Sequence, residues 1–150
     1  MFNINWPSNT KDITDAIREA IGRNVDFYTV ASSYECPTCG YNPVTEAALD
    51  PLCITCSGFG IIEELEATQV LAHVTWGGMD NLGWVTGGQL FQGDCRIQIE
   101  YTVSNNNLVD NARFIIVDGK EMKVDDKRYR GVPSINRILV DLYERDKDNE

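Results

Sequence analysis

The amino-acid sequence predicts a mainly β protein, a small antiparallel barrel or sandwich with one N-terminal helix and a four-cysteine insertion. Three observations carry that expectation. Apolar and polar residues alternate over several short segments, most clearly across residues 95–103. Helical spacing of apolar residues marks a stretch near the start. Two Cys-x-x-Cys pairs, Cys36/Cys39 and Cys53/Cys56, interrupt what otherwise reads as two consecutive strands. At 150 residues the chain is expected to form a single domain over 1–150, large enough for its own core.

Residues 8–22 read as an amphipathic helix, because Ile13, Ala16, Ile17, Ala20 and Ile21 fall on one stripe. Ser8, Asn9 or Thr10 can cap its start, Asp12 and Asp15 suit the positive end of the dipole, and Gly22 is placed to end it. Trp6-Pro7 would pack against its entry. The stripe is expected to face the core, with a partner-binding helix as the alternative. Residues 24–31 have strand character, Val25, Phe27 and Thr29 alternating against Asp26, Tyr28 and Val30. A long strand is expected over 61–76, with Val70, Ala72, Val74 and Trp76 on one face. Paired antiparallel, these two strands make the cysteine segment, about 34–60, an elaborated hairpin loop. The β core then comprises 24–32 and 61–143. Cys95, Ile97, Ile99, Tyr101 and Val103 line one face of the next strand, and 104–107 (Ser-Asn-Asn-Asn) reads as a turn. Strands at 113–117 and 120–124 flank Asp118-Gly119, a two-residue hairpin signal. A last strand is expected over 135–143, after Gly131-Val132-Pro133. The charged end, 144–150, is expected to fray.

Thirteen residues separate Cys39 from Cys53. Two knuckles at that spacing can place four thiolates around one Zn²⁺, a compact zinc-ribbon-like insertion with no coordination site left for water or substrate. The metal is therefore expected to be structural, replacing the hydrophobic core that such a loop lacks. Two disulfides, a redox Cys-x-x-Cys and an iron–sulfur cluster are the alternatives. The second knuckle continues as Ser57-Gly58-Phe59-Gly60, which resembles the Cys-x-x-Cys-x-Gly-x-Gly repeat of J-domain co-chaperones. The first knuckle does not fit it, and turn geometry accounts for the glycines. Cys95 stands apart as a small buried hydrophobe.

Net charge is −10, from 23 acidic and 13 basic residues. Between Arg23 and Arg96 there is no Lys or Arg, although the interval holds Asp26, Glu35, Glu46, Asp50, Glu63, Glu64, Glu66, Asp80 and Asp94. A zinc module that grips nucleic acid needs cations against the phosphates, so that role is disfavoured. Catalysis is disfavoured too, since the single histidine, His73, sits within a strand and no Gly-x-Ser-x-Gly elbow exists. Residues 77–93 are glycine-rich, flanked and punctuated by Trp76 and Trp84. They read either as turns or as a loop whose aromatics dock onto a partner. Lys127, Arg128, Tyr129 and Arg130 form the densest basic cluster, read as a polar loop that could meet an acidic patch on another copy. No run of about 18 apolar residues exists, so no membrane span is expected. The start lacks the features of a secretory signal, so synthesis in a reducing cytoplasm is expected.

Several segments taken together carry a resemblance. Residues 12–22 (Asp-Ile-Thr-Asp-Ala-Ile-Arg-Glu-Ala-Ile-Gly) lead into 25–30 (Val-Asp-Phe-Tyr-Thr-Val), followed by the Cys-Pro-x-Cys…Cys-x-x-Cys insertion. Near the end come 114–119 (Phe-Ile-Ile-Val-Asp-Gly) and 140–145 (Val-Asp-Leu-Tyr-Glu-Arg). In layout this resembles the neck proteins of tailed bacteriophages, the head–tail connector or head-closure (stopper) group. The resemblance implies a small β-barrel protomer in a sixfold or twelvefold homo-oligomeric ring in the virion neck. Portal or adaptor would lie above it, and tail terminator or tail tube below. The ring would retain the genomic DNA and then pass it without sequence-specific binding. An acidic lumen suits that, because it repels phosphate. A cytosolic zinc-ribbon adaptor, or a chaperone-like protein-binding module, is the alternative.

Overall fold

The computed structural model describes residues 10–77, the backbone of 84–85 and 88–89, and residues 94–144. Ser8, Asn9, the Trp6-Pro7 pair, most of the glycine-rich loop with the Trp84 side chain, and the tail after Glu144 lie outside the described residues. In chain order the elements are α1 (Thr10–Ile21), β1 (Arg23–Glu35), β2 (Tyr41–Asn42), β3 (Ala47–Ala48), β4 (Ile61–Trp76), β5 (Trp84–Val85), β6 (Gly88–Gln89), β7 (Cys95–Glu100), α2 (Val103–Asn111), β8 (Ala112–Val117), β9 (Lys120–Arg130) and β10 (Arg137–Glu144). The chain divides into two compact units: Met1–Tyr28 with Ala67–Glu150, and Thr29–Glu66. The second is wider than the expected insertion because it also includes residues 29–33 of β1 and 61–66 of β4.

In the first unit, six strands close an antiparallel barrel in the order β1-β4-β7-β10-β9-β8, back to β1. Closure removes the unpaired edges that a small open sheet would expose. The period-two pattern sets the register. Ile99 lies opposite Ile138, Ile97 opposite Val140 and Cys95 opposite Leu142 across β7 and β10, while Ile115 faces Met122 across β8 and β9. These side chains join Val25, Phe27, Ala72, Val109 and Val117 in one buried cluster, with Val70, Val74 and Trp76 packed against it. The barrel and the face expected of the 61–76 strand are thus both observed. Asp118 and Gly119 adopt left-handed φ values of 51° and 79°, as a two-residue hairpin turn requires.

Four expectations about elements are corrected. The strand over 95–103 stops at Glu100, and residues 104–107 are helix, not turn. Thr102 caps α2, its hydroxyl accepting from the Asn105 N–H at 3.0 Å, and Val109 and Leu108 pack on the core. Ser and Asn are poor helix formers, so the helix rests on this cap, on this burial and on contacts from β9 to Asn106 and Asp110. The segment 125–130 is not a loop, since β9 runs on to Arg130 against β10. The last strand starts at Arg137 rather than at 135.

The fourth correction concerns α1. Its stripe of Ile13, Ala16, Ile17, Ala20 and Ile21 is exposed, and the packed side is polar. The Thr10 hydroxyl donates to the Val132 carbonyl at 2.8 Å and accepts from Asn136 Nδ2 at 2.7 Å, so it is committed to the 131–136 segment. Arg18 is only 5% exposed. Its Nη1 donates to Asp15 Oδ1 at 2.7 Å, while Nε and Nη2 are buried with no hydrogen-bond partner. A buried guanidinium with two unmet donors is a destabilising arrangement. Arg18→Met is therefore expected to leave the thermal midpoint unchanged or raise it. Arg96 is the contrasting case, buried to the same degree but with Nε and Nη2 both on Asp141, at 2.5 and 3.2 Å. Arg96→Met should cost about 1–3 kcal/mol. Thermal unfolding of the two variants side by side checks the contrast.

Candidate metal centre

The second unit has almost no hydrocarbon interior. Its buried cluster consists of Cys36, Cys53, Cys56 and Ala48, with Cys39 and Ile62 packed against it. The backbone brings the two knuckles together. The Cys36 N–H donates to the Gly60 carbonyl at 2.9 Å, the Gly40 N–H to the Cys36 carbonyl at 2.9 Å, and the Thr38 and Thr55 hydroxyls meet at 3.1 Å. Gly60 has a φ of 78°, and a Cβ there would lie 2.8 Å from Ala48 Cα, so no larger residue fits the turn. The short ribbon of β2 and β3 pairs Tyr41 with Ala48 and Asn42 with Ala47, spanning the gap between the cysteine pairs.

All four sulfurs lie within 4.8 Å of one another. Cys36 Sγ is 3.8 Å from Cys53 Sγ, and Cys39 Sγ is 3.5 Å from Cys56 Sγ. A tetrahedral site with metal–sulfur bonds of about 2.3 Å has sulfurs about 3.8 Å apart, so the donor set fits a thiolate-bound cation. No pair is bonded as a disulfide; all five cysteines are free. The electrostatics also fit a cation. The Cys39 N–H, with that of Thr38, is directed at Cys36 and pulls its thiol down to about 6. Cys53 is lowered by the N–H groups of its own knuckle, that of Cys56 first. Cys39 is pushed up to about 12, by burial and then by the neighbouring Cys53 and Cys56 sulfurs. Backbone dipoles favour thiolate at the first cysteine of each knuckle, while burial and the neighbouring sulfurs hold the Cys39 proton in place. A dication removes that obstacle.

The other residues singled out in the sequence lie elsewhere. Cys95 is in the barrel core, where burial pushes its thiol up to about 12, which suits a packing role. His73 sits in β4 opposite Gln98. Trp76 donates Nε1 to Asp118 Oδ2 at 2.7 Å, with Lys120 Nζ 5.4 Å from its ring centroid. The Lys127–Arg130 cluster is tied into the fold. Lys127 pairs with Asp110 and donates to Asn106, Tyr129 donates to the same Asn106 oxygen at 2.7 Å, and both contacts hold α2 against β9. Arg128 meets Asp126 at 3.1 Å and Asp141 at 3.5 Å. Arg130 donates to the Tyr129 carbonyl at 3.2 Å.

A further feature of the module went unread in the sequence. Ile54 is 95% exposed, Val44 89%, Leu52 86%, Phe59 72% and Leu49 63%. Leu52 and Ile54 flank Cys53, so the ligand points inward and its apolar neighbours point out. The available signal was the absence of any other core in a loop this small. Apolar side chains that sulfur has displaced from the interior must face solvent or a partner. Among the described residues, no helix is long and apolar enough to cross a membrane. Compared with protein-family models, curated proteins and solved structures, the chain matches none.

Proposed function

We propose that the chain is a non-enzymatic structural protein of a tailed-phage neck, acting as a ring-forming subunit between head and tail, with the cysteine cluster holding a structural Zn²⁺. The observation that carries this reading is a closed barrel with a satisfied core that nonetheless leaves two apolar surfaces, on α1 and on the metal module, facing outward. Monomeric proteins rarely expose such clusters, whereas assembly subunits require them. The layout shared with connector and stopper proteins directs the reading to the neck. There six or twelve copies would sit between portal or adaptor and the tail terminator or tube. The genome would pass through without sequence-specific contact, the subunit having been made in the host cytoplasm. Four thiolate donors with no open position favour zinc in a structural role.

Light scattering on the purified chain, alone and with its portal or adaptor protein, tests the ring. Six or twelve copies in either sample supports it, and a monomer in both overturns it. Elemental analysis is expected to find one zinc per chain. Iron, or no metal in protein kept reduced throughout purification, would contradict the zinc assignment.

The exposed module also favours a second reading, a cytosolic zinc-ribbon adaptor or chaperone-like binding module. That protein would be monomeric and indifferent to portal or adaptor.

A further inference from the structure

We propose that Arg18, Arg130 and Arg137 form a binding site for a small multivalent oxyanion of the phosphate class, held between the polar side of α1 and the outer face of β9 and β10. The site does not depend on the neck reading, since all three residues belong to one unit of one chain. Three elements bring the guanidiniums together. Arg130 ends β9 and Arg137 begins β10, and the two stand directly opposite in the antiparallel register, so their side chains share a face. Ile138, the next residue, is part of the barrel core, which places Arg137 and Arg130 on the outside. Helix α1 lies against this end of the barrel, through Thr10 on Val132 and Asn136 and through Lys11 on Glu100, the β7 partner of Arg137. Arg18 is the charge that the helix buries there. Burial lowers the pKa of Arg137, and repulsion from Arg130 and Arg18 lowers it further.

Neighbouring carboxylates do not offset this repulsion. Asp15 is shared by Lys11 at 2.5 Å and Arg18 Nη1 at 2.7 Å, and Glu100 is engaged by Lys11 at 3.2 Å. Among the described residues Arg130 meets only the Tyr129 carbonyl, and Arg137 meets no carboxylate. Lys11 and the three arginines thus face Asp15 and Glu100 alone, a local excess of positive charge in an acidic chain. Four buried side-chain polar atoms lack a hydrogen-bond partner among the described residues. Three are donors of this cluster, Arg18 Nε and Nη2 and Arg137 Nε, and the fourth is Asn136 Oδ1. Buried donors with unmatched charge call for an acceptor that carries several oxygens and more than one charge, and guanidinium forks suit such oxyanions. Arg130 is exposed and Arg137 half-buried, so the ion enters from the strand side with Arg18 as its floor. Arg18 lies under α1, out of reach of a polymer backbone, which makes a small ion the fitting occupant. The same demand accounts for a buried arginine that the fold alone would be better without.

Calorimetric titration of the full chain with inorganic phosphate, at constant ionic strength in chloride, is expected to show one site per chain. Sulfate should bind as well, and acetate more weakly. Net charge is −10, so general attraction for anions contributes nothing to such binding. Arg18→Met and Arg137→Gln are each expected to weaken phosphate about tenfold or more, the loss that follows removal of a charged hydrogen-bond donor. Circular dichroism checks the fold of each variant, and Arg130→Gln, an exposed position, decides the matter if neither folds. Arg23→Gln, whose partner is Asp118, should bind phosphate as wild type does. Heat no greater than that of added chloride overturns the proposal. So does an affinity unchanged in a folded Arg18→Met or Arg137→Gln, or one lost equally in Arg23→Gln.

Discussion

Stripping the metal, or replacing Cys53 with serine, is expected to abolish ordered structure in residues 36–62 and leave the barrel folded. The module's buried cluster is three cysteines and one alanine, with a fourth cysteine and one isoleucine at its margin. Remove the cation and nothing of comparable size holds the segment, since its other large apolar side chains already face solvent. Structural zinc in such modules contributes about 10–16 kcal/mol of binding free energy, far more than six small contacts supply. The barrel has a separate core, from Val25 and Phe27 through to Leu142, in which none of the four ligands takes part. Hydrogen exchange with and without chelator reads both units at once. Amides at Cys36, Gly40, Ala48 and Cys53, each hydrogen-bonded within the module, should lose protection together, while those of β7 and β10 retain it. Protection that survived in the module after verified metal loss would show that the thiols are a packing core and not a ligand set. Collapse of β7 and β10 as well would show that the two units fold as one.

The barrel was legible in the sequence wherever one face of a strand is buried, because burial imposes a period of two. Cys95, Ile97 and Ile99, or Val70, Ala72, Val74 and Trp76, state their face plainly. The clustering of the four cysteines was legible for a related reason: only a few geometries satisfy two Cys-x-x-Cys pairs. What failed to show has a common cause in tertiary context. Helix α2 is written in Ser and Asn, residues that disfavour helix interiors, and it is held by one cap, by Val109 and Leu108, and by Lys127 and Tyr129 of β9. The α1 periodicity marks a helix, yet its apolar stripe faces outward. Spacing reveals which residues share a face, not which way that face turns, and here Thr10, Asp15 and Arg18 form the packed side. Likewise the run 125–130 looked like a loop because it is all polar. In the fold it continues β9, and its Lys127 and Arg128 are matched by Asp110, Asp126 and Asp141 from other elements or from the strand itself.

Phe27→Ala should be among the most destabilising single substitutions in the barrel, and it should spare the metal module. Phe27 has no solvent exposure and is the bulkiest fully buried side chain among the described residues. It stands in β1, which closes the barrel between β4 and β8, so its loss opens a void at the seam. Phenylalanine-to-alanine changes in cores cost about 3–5 kcal/mol, a large share of the roughly 5–15 kcal/mol that holds a domain folded. With a urea dependence of about 1–3 kcal/mol per molar, the unfolding midpoint should fall by more than about 1 M. Ile97→Val, an equally buried site that loses one methyl, calibrates the measurement at about 0.5–1.5 kcal/mol. The discriminating readout is the metal. Phe27 contributes nothing to the cluster of Cys36, Ala48, Cys53 and Cys56, so stoichiometry should stay at one per chain in the variant. Metal lost along with barrel stability would mean that the strands shared by the two units, β1 and β4, transmit disorder from barrel to ligands. In that case the knuckles would owe their geometry to the barrel rather than to their own turns.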